Sequence, residues 1–317
     1  MSDLSRRGLI GRGAAFAAAP TFARAATGTR LLPPALPPIE NIQGAPDAQN
    51  RLTVETYVND KGPFGFVVDT GADRSVIAED LVKDLGLRLG DDVIVQGIAR
   101  ALPAPAVHLD SLRMGSVAID SLPMPVLPRR WLGADGYLGL DVIDRQAVTF
   151  DFRNHKLSIQ PSDLFSDVLP VDIALVRANG SNGKLTAVNS SVDGIKAHAF
   201  VDSGAEISIC NTTLFRQLQQ SGAKYLNDDV VQLLGVTGGA AEGRLTFVER
   251  IKLGSVGFLN SVLVISDLQV FDVWNLADKP ALFIGMNFLR QTSSVTIDYG
   301  RKELRFKLAQ IMTASRT

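Results

Sequence analysis

Two aspartates, Asp69 and Asp202, each close an apolar run and open the same four-residue phrase, Asp69-Thr70-Gly71-Ala72 and Asp202-Ser203-Gly204-Ala205. Phe66-Val67-Val68 precedes the first, Phe200-Val201 precedes the second, and an acid follows each, Asp73 and Glu206. One such acidic turn could be a mere surface turn. Two in matched settings point to paired chemistry. Carboxyls held side by side share a proton, because like charges at close range raise one pKa strongly, and the two titration steps then belong to the pair. The ionised member can activate a water while the protonated member polarises a carbonyl, which is what amide hydrolysis needs without a metal or a nucleophilic side chain. Gly71 and Gly204 permit the tight turn and let amide groups approach the carboxylates.

Other chemistries find little support in the residue types. The single cysteine, Cys210, excludes an intramolecular disulfide framework and a cysteine-rich zinc site, and it lies in an apolar run that suits a buried core thiol. The histidines, His108, His155 and His198, are widely spaced and form no metal-ligand motif. No metal or other cofactor is implied. With 32 Lys and Arg against 33 Asp and Glu, the formal net charge of -1 offers no basic excess for nucleic acid or an anionic membrane.

The elements that must position the aspartates are written twice. Leu52 to Val58 alternates as a half-buried strand, Asn59-Asp60-Lys61-Gly62 supplies a turn, and Phe64 to Val68 forms a second strand that delivers Asp69. In the later half, Leu185 to Val188 leads through Asp193-Gly194 to Ala199-Phe200-Val201 and Asp202. A helix follows each turn: Ala78 to Leu85 stopped by Gly86, and Thr212 to Gln220 with Asn211 as N-cap and Gly222 beyond its end. Met114-Gly115-Ser116-Val117 matches Leu253-Gly254-Ser255-Val256, and Tyr137-Leu138-Gly139 matches Phe283-Ile284-Gly285. Each half ends in a paired-strand pattern, Ala147 to Ile159 and Ser294 to Phe306. Such self-similarity marks a duplicated unit.

With these motifs in place, residues 51 to 310 resemble the pepsin and retropepsin superfamily of aspartic proteases, in particular bacterial retropepsin-like enzymes with two repeats in one chain. The resemblance implies an all-β, bilobal fold with one short helix or two per lobe, residues 51–162 and 163–310, and Asp69 and Asp202 as a dyad at the lobe boundary. It further implies that Thr70 and Ser203 hydrogen-bond across a pseudo-twofold axis, and that the apolar-apolar-Gly segments pack behind the two turns. Ala72 and Ala205 stand where pepsin-like enzymes place a hydroxyl donor, and losing that donor predicts activity extending toward neutral pH. Retroviral enzymes pair the acid after the turn with an arginine following the later glycine. Here those positions are Leu140 and Met286, so that pair is expected to be absent, leaving Asp73 and Glu206 for the substrate backbone or for solvent. A flap is expected over the cleft, with candidates around Gly97-Ile98-Ala99-Arg100 and Gly235-Val236-Thr237-Gly238-Gly239. Ile98, Val236, Thr237 and Gly238 are thereby candidates for substrate contact. Arg129-Arg130-Trp131 reads as a loop, and Trp274 as a core anchor or a subsite wall.

The start of the chain carries a different signal. Ser5-Arg6-Arg7-Gly8-Leu9-Ile10, a short stretch rich in Ala and Gly, and Ala23-Arg24-Ala25 have the order of an export signal whose paired arginines resemble the bacterial twin-arginine class. Cleavage after Ala25 would remove four arginines and Asp3, leaving a net charge of -4 and no spanning segment. Residues 26–50, with Leu32-Pro33-Pro34-Ala35-Leu36-Pro37-Pro38, read as an extended linker, and residues 311–317 as a tail. The expectation is a monomeric periplasmic aspartic endopeptidase that processes or degrades envelope polypeptides, with a noncatalytic peptide-binding or scaffolding module on the same fold as the alternative.

Overall fold

The computed structural model describes residues 30–32, 52–115, 117–164, 170–181 and 184–308. The export signal, most of the linker, Ser116 and the tail lie outside these residues.

The first lobe is built on a seven-stranded sheet. Its opening hairpin pairs Thr53–Val58 with Lys61–Val68. Asn59 and Asp60 both hold positive φ, 46° and 61°, the two-residue turn whose twist matches the flanking strands. Lys61 and Gly62, expected in the turn, already belong to the strand. Phe66, Val67 and Val68 run parallel to Gly136, Tyr137 and Leu138, so the chain segment before Gly139 lies directly beside the one that ends at Asp69. Val76–Ala78 pairs with the same short strand from its other side. The stretches that meet the turn, Phe66–Val68, Val76–Ala78 and Tyr137–Leu138, are apolar and buried, which is why the sheet interior sits under the turn.

The second lobe repeats the scheme. His198–Val201 runs parallel to Ala281–Ile284, and Ile209–Cys210 lies antiparallel to the latter. Asp193 and Gly194 again hold positive φ, 46° and 87°, but the strands of this hairpin are broken: Lys184–Ala187 and Ser190–Val192 are separated at Asn189, whose φ is 58°. The helices follow the sequence closely. Glu79–Leu85 ends on Gly86 in the left-handed conformation, and Thr212–Gln220 begins on Asn211, whose side chain accepts from the Leu214 amide at 2.9 Å. Four further helices of four or five residues, Arg129–Leu132, Leu140–Ile143, Gln269–Val273 and Met286–Leu289, bring each lobe to three, more than the one or two expected. The Arg129-Arg130-Trp131 group is therefore a single helical turn and not a loop.

The two closing strand pairs do not stay with their own lobes. Gln146–Asp151 pairs with Lys156–Pro161 as expected, but its other edge pairs with Thr292–Asp298, aligning Val148 with Ile297 and Phe150 with Val295. Glu303–Leu308 and Ile173–Ser181 continue this shared sheet, and Ile173–Ser181 then leads into the second lobe by pairing with Lys184–Ala187. Residues of these strands, among them Phe150, Val176, Leu304 and Phe306, belong to the main hydrophobic core, so both lobes rest on one floor. One further element falls inside the expected linker. Arg30–Leu32 adds to the sheet parallel to Val256–Phe258.

Candidate active site

Each aspartate sits where a strand ends against the parallel strand beside it. The Asp69 amide donates to the Leu138 carbonyl at 3.0 Å, and the Asp202 amide to the Ile284 carbonyl at 3.0 Å. The backbone then turns back on the side chain: the Gly71 amide donates to Asp69 Oδ1 at 2.8 Å and the Gly204 amide to Asp202 Oδ1 at 2.9 Å. The backbone continues equivalently, with the Leu140 amide donating to Ala72 at 2.9 Å and the Met286 amide to Ala205 at 2.8 Å.

Four reciprocal hydrogen bonds join the two turns. Thr70 Oγ1 donates to the Val201 carbonyl at 2.9 Å and accepts from the Ser203 amide at 2.9 Å. Ser203 Oγ donates to the Val68 carbonyl at 2.7 Å and accepts from the Thr70 amide at 3.2 Å. Both side chains are 2% exposed, so each bond is made away from competing water. From below, the Tyr299 hydroxyl donates to the Thr70 carbonyl at 3.4 Å. Burial pushes the Tyr299 phenol well above its usual range, and the negative potential of Asp69, Asp202 and Asp144 adds to the shift.

This bracing places the carboxyls together. Burial and then the neighbouring Asp69 raise the Asp202 carboxyl to about 7, while the Gly204 amide works in the opposite direction. A site with one proton held near neutrality and one ionised partner can act as acid and base at once.

Two serines that motif reading missed tie the turns to the Gly139 and Gly285 segments. Ser75 Oγ donates to Asp141 Oδ1 at 2.6 Å and accepts from the Gly139 amide at 2.9 Å. Ser208 Oγ donates to Asn287 Oδ1 at 2.8 Å and accepts from the Gly285 amide at 2.9 Å. A signal was available: each serine stands six residues after its aspartate, and Asp141 and Asn287 each stand two residues after their glycine.

Asp73 and Glu206 each have a cation partner, which corrects the expectation from the sequence that they are free, although the Asp73 side chain stays largely exposed. Asp73 Oδ1 pairs with Lys184 Nζ at 2.5 Å, and Glu206 accepts from Arg290 at 2.8 and 3.1 Å. The arginine lies one helical turn beyond Met286, where the short helix Met286–Leu289 carries it back over Glu206.

The two flap candidates are true hairpin tips and they meet. Leu89–Gln96 and Ala101–Met114 close at Gly97–Arg100, and Tyr225–Leu234 and Ala240–Leu253 close at 235–239. The Arg100 guanidinium donates twice to the Thr237 carbonyl, at 2.8 and 2.9 Å, and Thr237 Oγ1 returns a bond to the Arg100 carbonyl at 3.0 Å. Each tip also reaches the opposite lobe. Ile98 packs on the second-lobe cluster of Phe200, Phe271 and Phe283, and its carbonyl accepts from the Gln269 amide at 3.0 Å. Gly238 lies against the Trp131 ring, and Val236 packs on the main core. A groove of about 430 Å³ follows the flank of the first tip between Ile98–Ala101 and Asp267–Gln269, and neither aspartate lines it. Trp274 is a core anchor, its ring tilted against Phe200 at 5.0 Å and edge-on to Phe283 at 5.3 Å between centroids. Cys210 is fully buried, and burial pushes its thiol up to about 12, which leaves no thiolate for nucleophilic work. Among the described residues no cluster of His, Cys, Asp and Glu could hold a metal ion, and no helix is long and apolar enough to cross a membrane.

Two lobes of mostly β structure thus each present an Asp-Thr/Ser-Gly turn to the other. Residues 54–142 and 188–288 match the family described as aspartyl protease, and the chain belongs to that family. Among solved structures, the chain is similar to an aspartic proteinase from Irpex lacteus, with 14% identity over 84% of this chain and 96% of that one, at a TM-score of 0.48. It is also similar to a retropepsin-like aspartic protease from Rickettsia conorii, with 17% identity over 43% of this chain and 90% of that one, at a TM-score of 0.28. No curated protein matches the sequence significantly.

Proposed function

We propose that the protein is an aspartic endopeptidase that uses Asp69 and Asp202 as its catalytic dyad. The observation that carries this reading is the reciprocal Thr70–Ser203 bracing, which brings two carboxyls from separate lobes together, where burial and the facing Asp69 raise the Asp202 carboxyl. A water held between the carboxyls gives a proton to the ionised aspartate as its oxygen attacks the peptide carbonyl carbon. The protonated aspartate donates to the carbonyl oxygen, and the resulting diol collapses by breaking the C–N bond as a proton passes to the leaving nitrogen. Extended polypeptide is the substrate class this chemistry suits, since backbone pairing would give affinity and alternate side chains specificity. Ile98, Val236, Thr237 and Gly238 are engaged with the opposite lobe or the facing tip, so contact with such a chain requires the tips to part.

Both halves of the dyad are on one chain, so a monomer suffices. The arginine pair and small-residue cleavage site at the start of the sequence support export to a bacterial periplasm, with processing or turnover of envelope proteins as the duty. The test is cleavage of a mixed peptide library by the protein without residues 1–25, from about pH 4 to pH 8, beside Asp69→Asn and Asp202→Asn. Cleavage by the parent and loss of about 10²- to 10⁴-fold or more in both variants is the expected outcome. A folded parent that binds peptides but cuts none at any pH would instead make the protein a peptide-binding module on the same fold.

A further inference from the structure

Lys184 opens the second-lobe strand Lys184–Ala187, yet its ammonium is engaged with the first lobe. It donates to the Gly71 carbonyl at 2.8 Å and to Asp73 Oδ1 at 2.5 Å, and it lies 5.5 Å from the centre of the Trp274 ring. The residue is 3% exposed. A lysine is almost never buried to this degree unless its charge is answered, and here a carbonyl, a carboxylate and an aromatic face answer it.

The pairing is lopsided in a way that matters for the aspartates. The Asp73 side chain is 72% exposed while that of Lys184 is 4% exposed. Water screens the acid, and protein surrounds the cation, so the positive charge is felt inward more strongly than its partner cancels it. Trp274 closes the remaining side and is itself fixed by Phe200, two residues before Asp202.

We propose that Lys184 is a positioning residue of the dyad: a built-in cation that ties the first aspartate turn to the second lobe and biases the carboxyl pair toward its ionised form. The proposal rests on the dyad reading above. The charge on Lys184 acts on Asp202 in the direction expected, favouring its ionised form against burial and against Asp69. The other ionisable groups facing the pair are Asp73 on the first turn and Tyr299 beneath it, with Asp144 beyond. Glu206, on the second turn, is occupied by Arg290.

The test follows the carboxyl signals of the aspartate pair by ¹³C NMR as pH is raised, assigned with Asp69→Asn and Asp202→Asn, and in parallel the pH–rate profile. Lys184→Met removes the cation, and the upper titration step of the pair moves up by about one pH unit, the alkaline limb of the rate profile with it. Lys184→Arg keeps the charge and restores the step toward its original position. Asp73→Asn leaves the lysine unopposed, so the step moves down. A folded Lys184→Met with titration and limb unchanged overturns the proposal and makes the lysine a structural tie only. Should Lys184→Met fail to fold, Asp73→Asn decides: an unmoved or raised step there overturns the proposal equally. A parent that cuts no peptide would defeat the proposed function, while the NMR titration would still decide the role of Lys184.

Discussion

Gly204 of the second turn backs directly onto the Asp69 carboxyl of the first: a Cβ placed on Gly204 would lie 2.5 Å from Asp69 Cγ and 2.6 Å from both oxygens. Gly71 stands in the same relation to Asp202, at 2.8 Å. The glycine in each turn is therefore required by the other lobe's carboxylate as well as by its own backbone. Gly204→Ala and Gly71→Ala should each lower cleavage by about 10²-fold or more and destabilise the protein by roughly 1–3 kcal/mol, since the contact is with a carboxyl fixed by its own turn that cannot yield without separating the turns. Peptide cleavage and urea unfolding of the two variants check both numbers. Wild-type rates in either variant would mean the turns are looser than described.

The raised Asp202 carboxyl carries a pH signature in stability as well as in rate. Its folded value, about 7, lies above the ordinary 3.8, so the folded state binds the proton more tightly than the unfolded chain does. Stability is then fully favoured below about pH 4 with respect to this group, declines as pH rises toward 7, and stays level above it. Asp202→Asn removes that decline. Near pH 8 it should exceed the parent in stability by on the order of 2–4 kcal/mol, with the difference shrinking toward zero near pH 4. Thermal unfolding of the two proteins across this range reads the sign directly, and a gap that grows on acidification would contradict it. In the active protein, cleavage should persist toward neutrality and fall as pH passes about 7, where the shared proton is lost.

The Thr70–Ser203 exchange predicts strong non-additivity. Thr70→Ala leaves the Ser203 amide and the Val201 carbonyl without their partner, and Ser203→Ala does the same to the Thr70 amide and the Val68 carbonyl. Each single change should cost roughly 1–3 kcal/mol, and the double variant less than the sum, because the turns have already parted after the first loss. A double-mutant cycle with a coupling energy near zero would show the two turns to be held by other contacts.

The crossing of the hairpin tips predicts where the molecule opens. Arg100→Ala removes both bonds to the Thr237 carbonyl and the guanidinium near the Trp131 ring, 5.8 Å from its centre. Amide exchange at residues 97–100 and 235–239 should accelerate by about 10-fold or more, while global stability changes by about 1 kcal/mol or less, because the bonds lost tie tip to tip and leave the packing of Ile98 and Val236 in place. Hydrogen exchange resolved by segment makes the comparison. Unchanged protection at the tips would show that Ile98 and Val236, and not the arginine, keep them together.

Much of this protein is local and was readable as such. The hairpins follow from Asn59-Asp60 and Asp193-Gly194, the helix ends from Gly86 and Asn211, and the two Asp-Thr/Ser-Gly turns from their apolar strands, because each is decided by residues within a few positions of one another. Duplication carried the argument further, since a second copy of the same phrase told which aspartate each carboxyl would face. Tertiary structure alone decided the rest. The partners of Asp73 and of Thr237 lie 111 and 137 residues away, and nothing near Lys184 or Arg100 in the chain marks them as those partners. The shared floor of Gln146–Asp151 and Thr292–Asp298 is likewise invisible in either strand, because alternation reports which face is buried and not which neighbour covers the edge. The charge state of the pair depends on burial, on the opposing carboxylate and on one lysine, three quantities that exist only once the lobes have closed on each other.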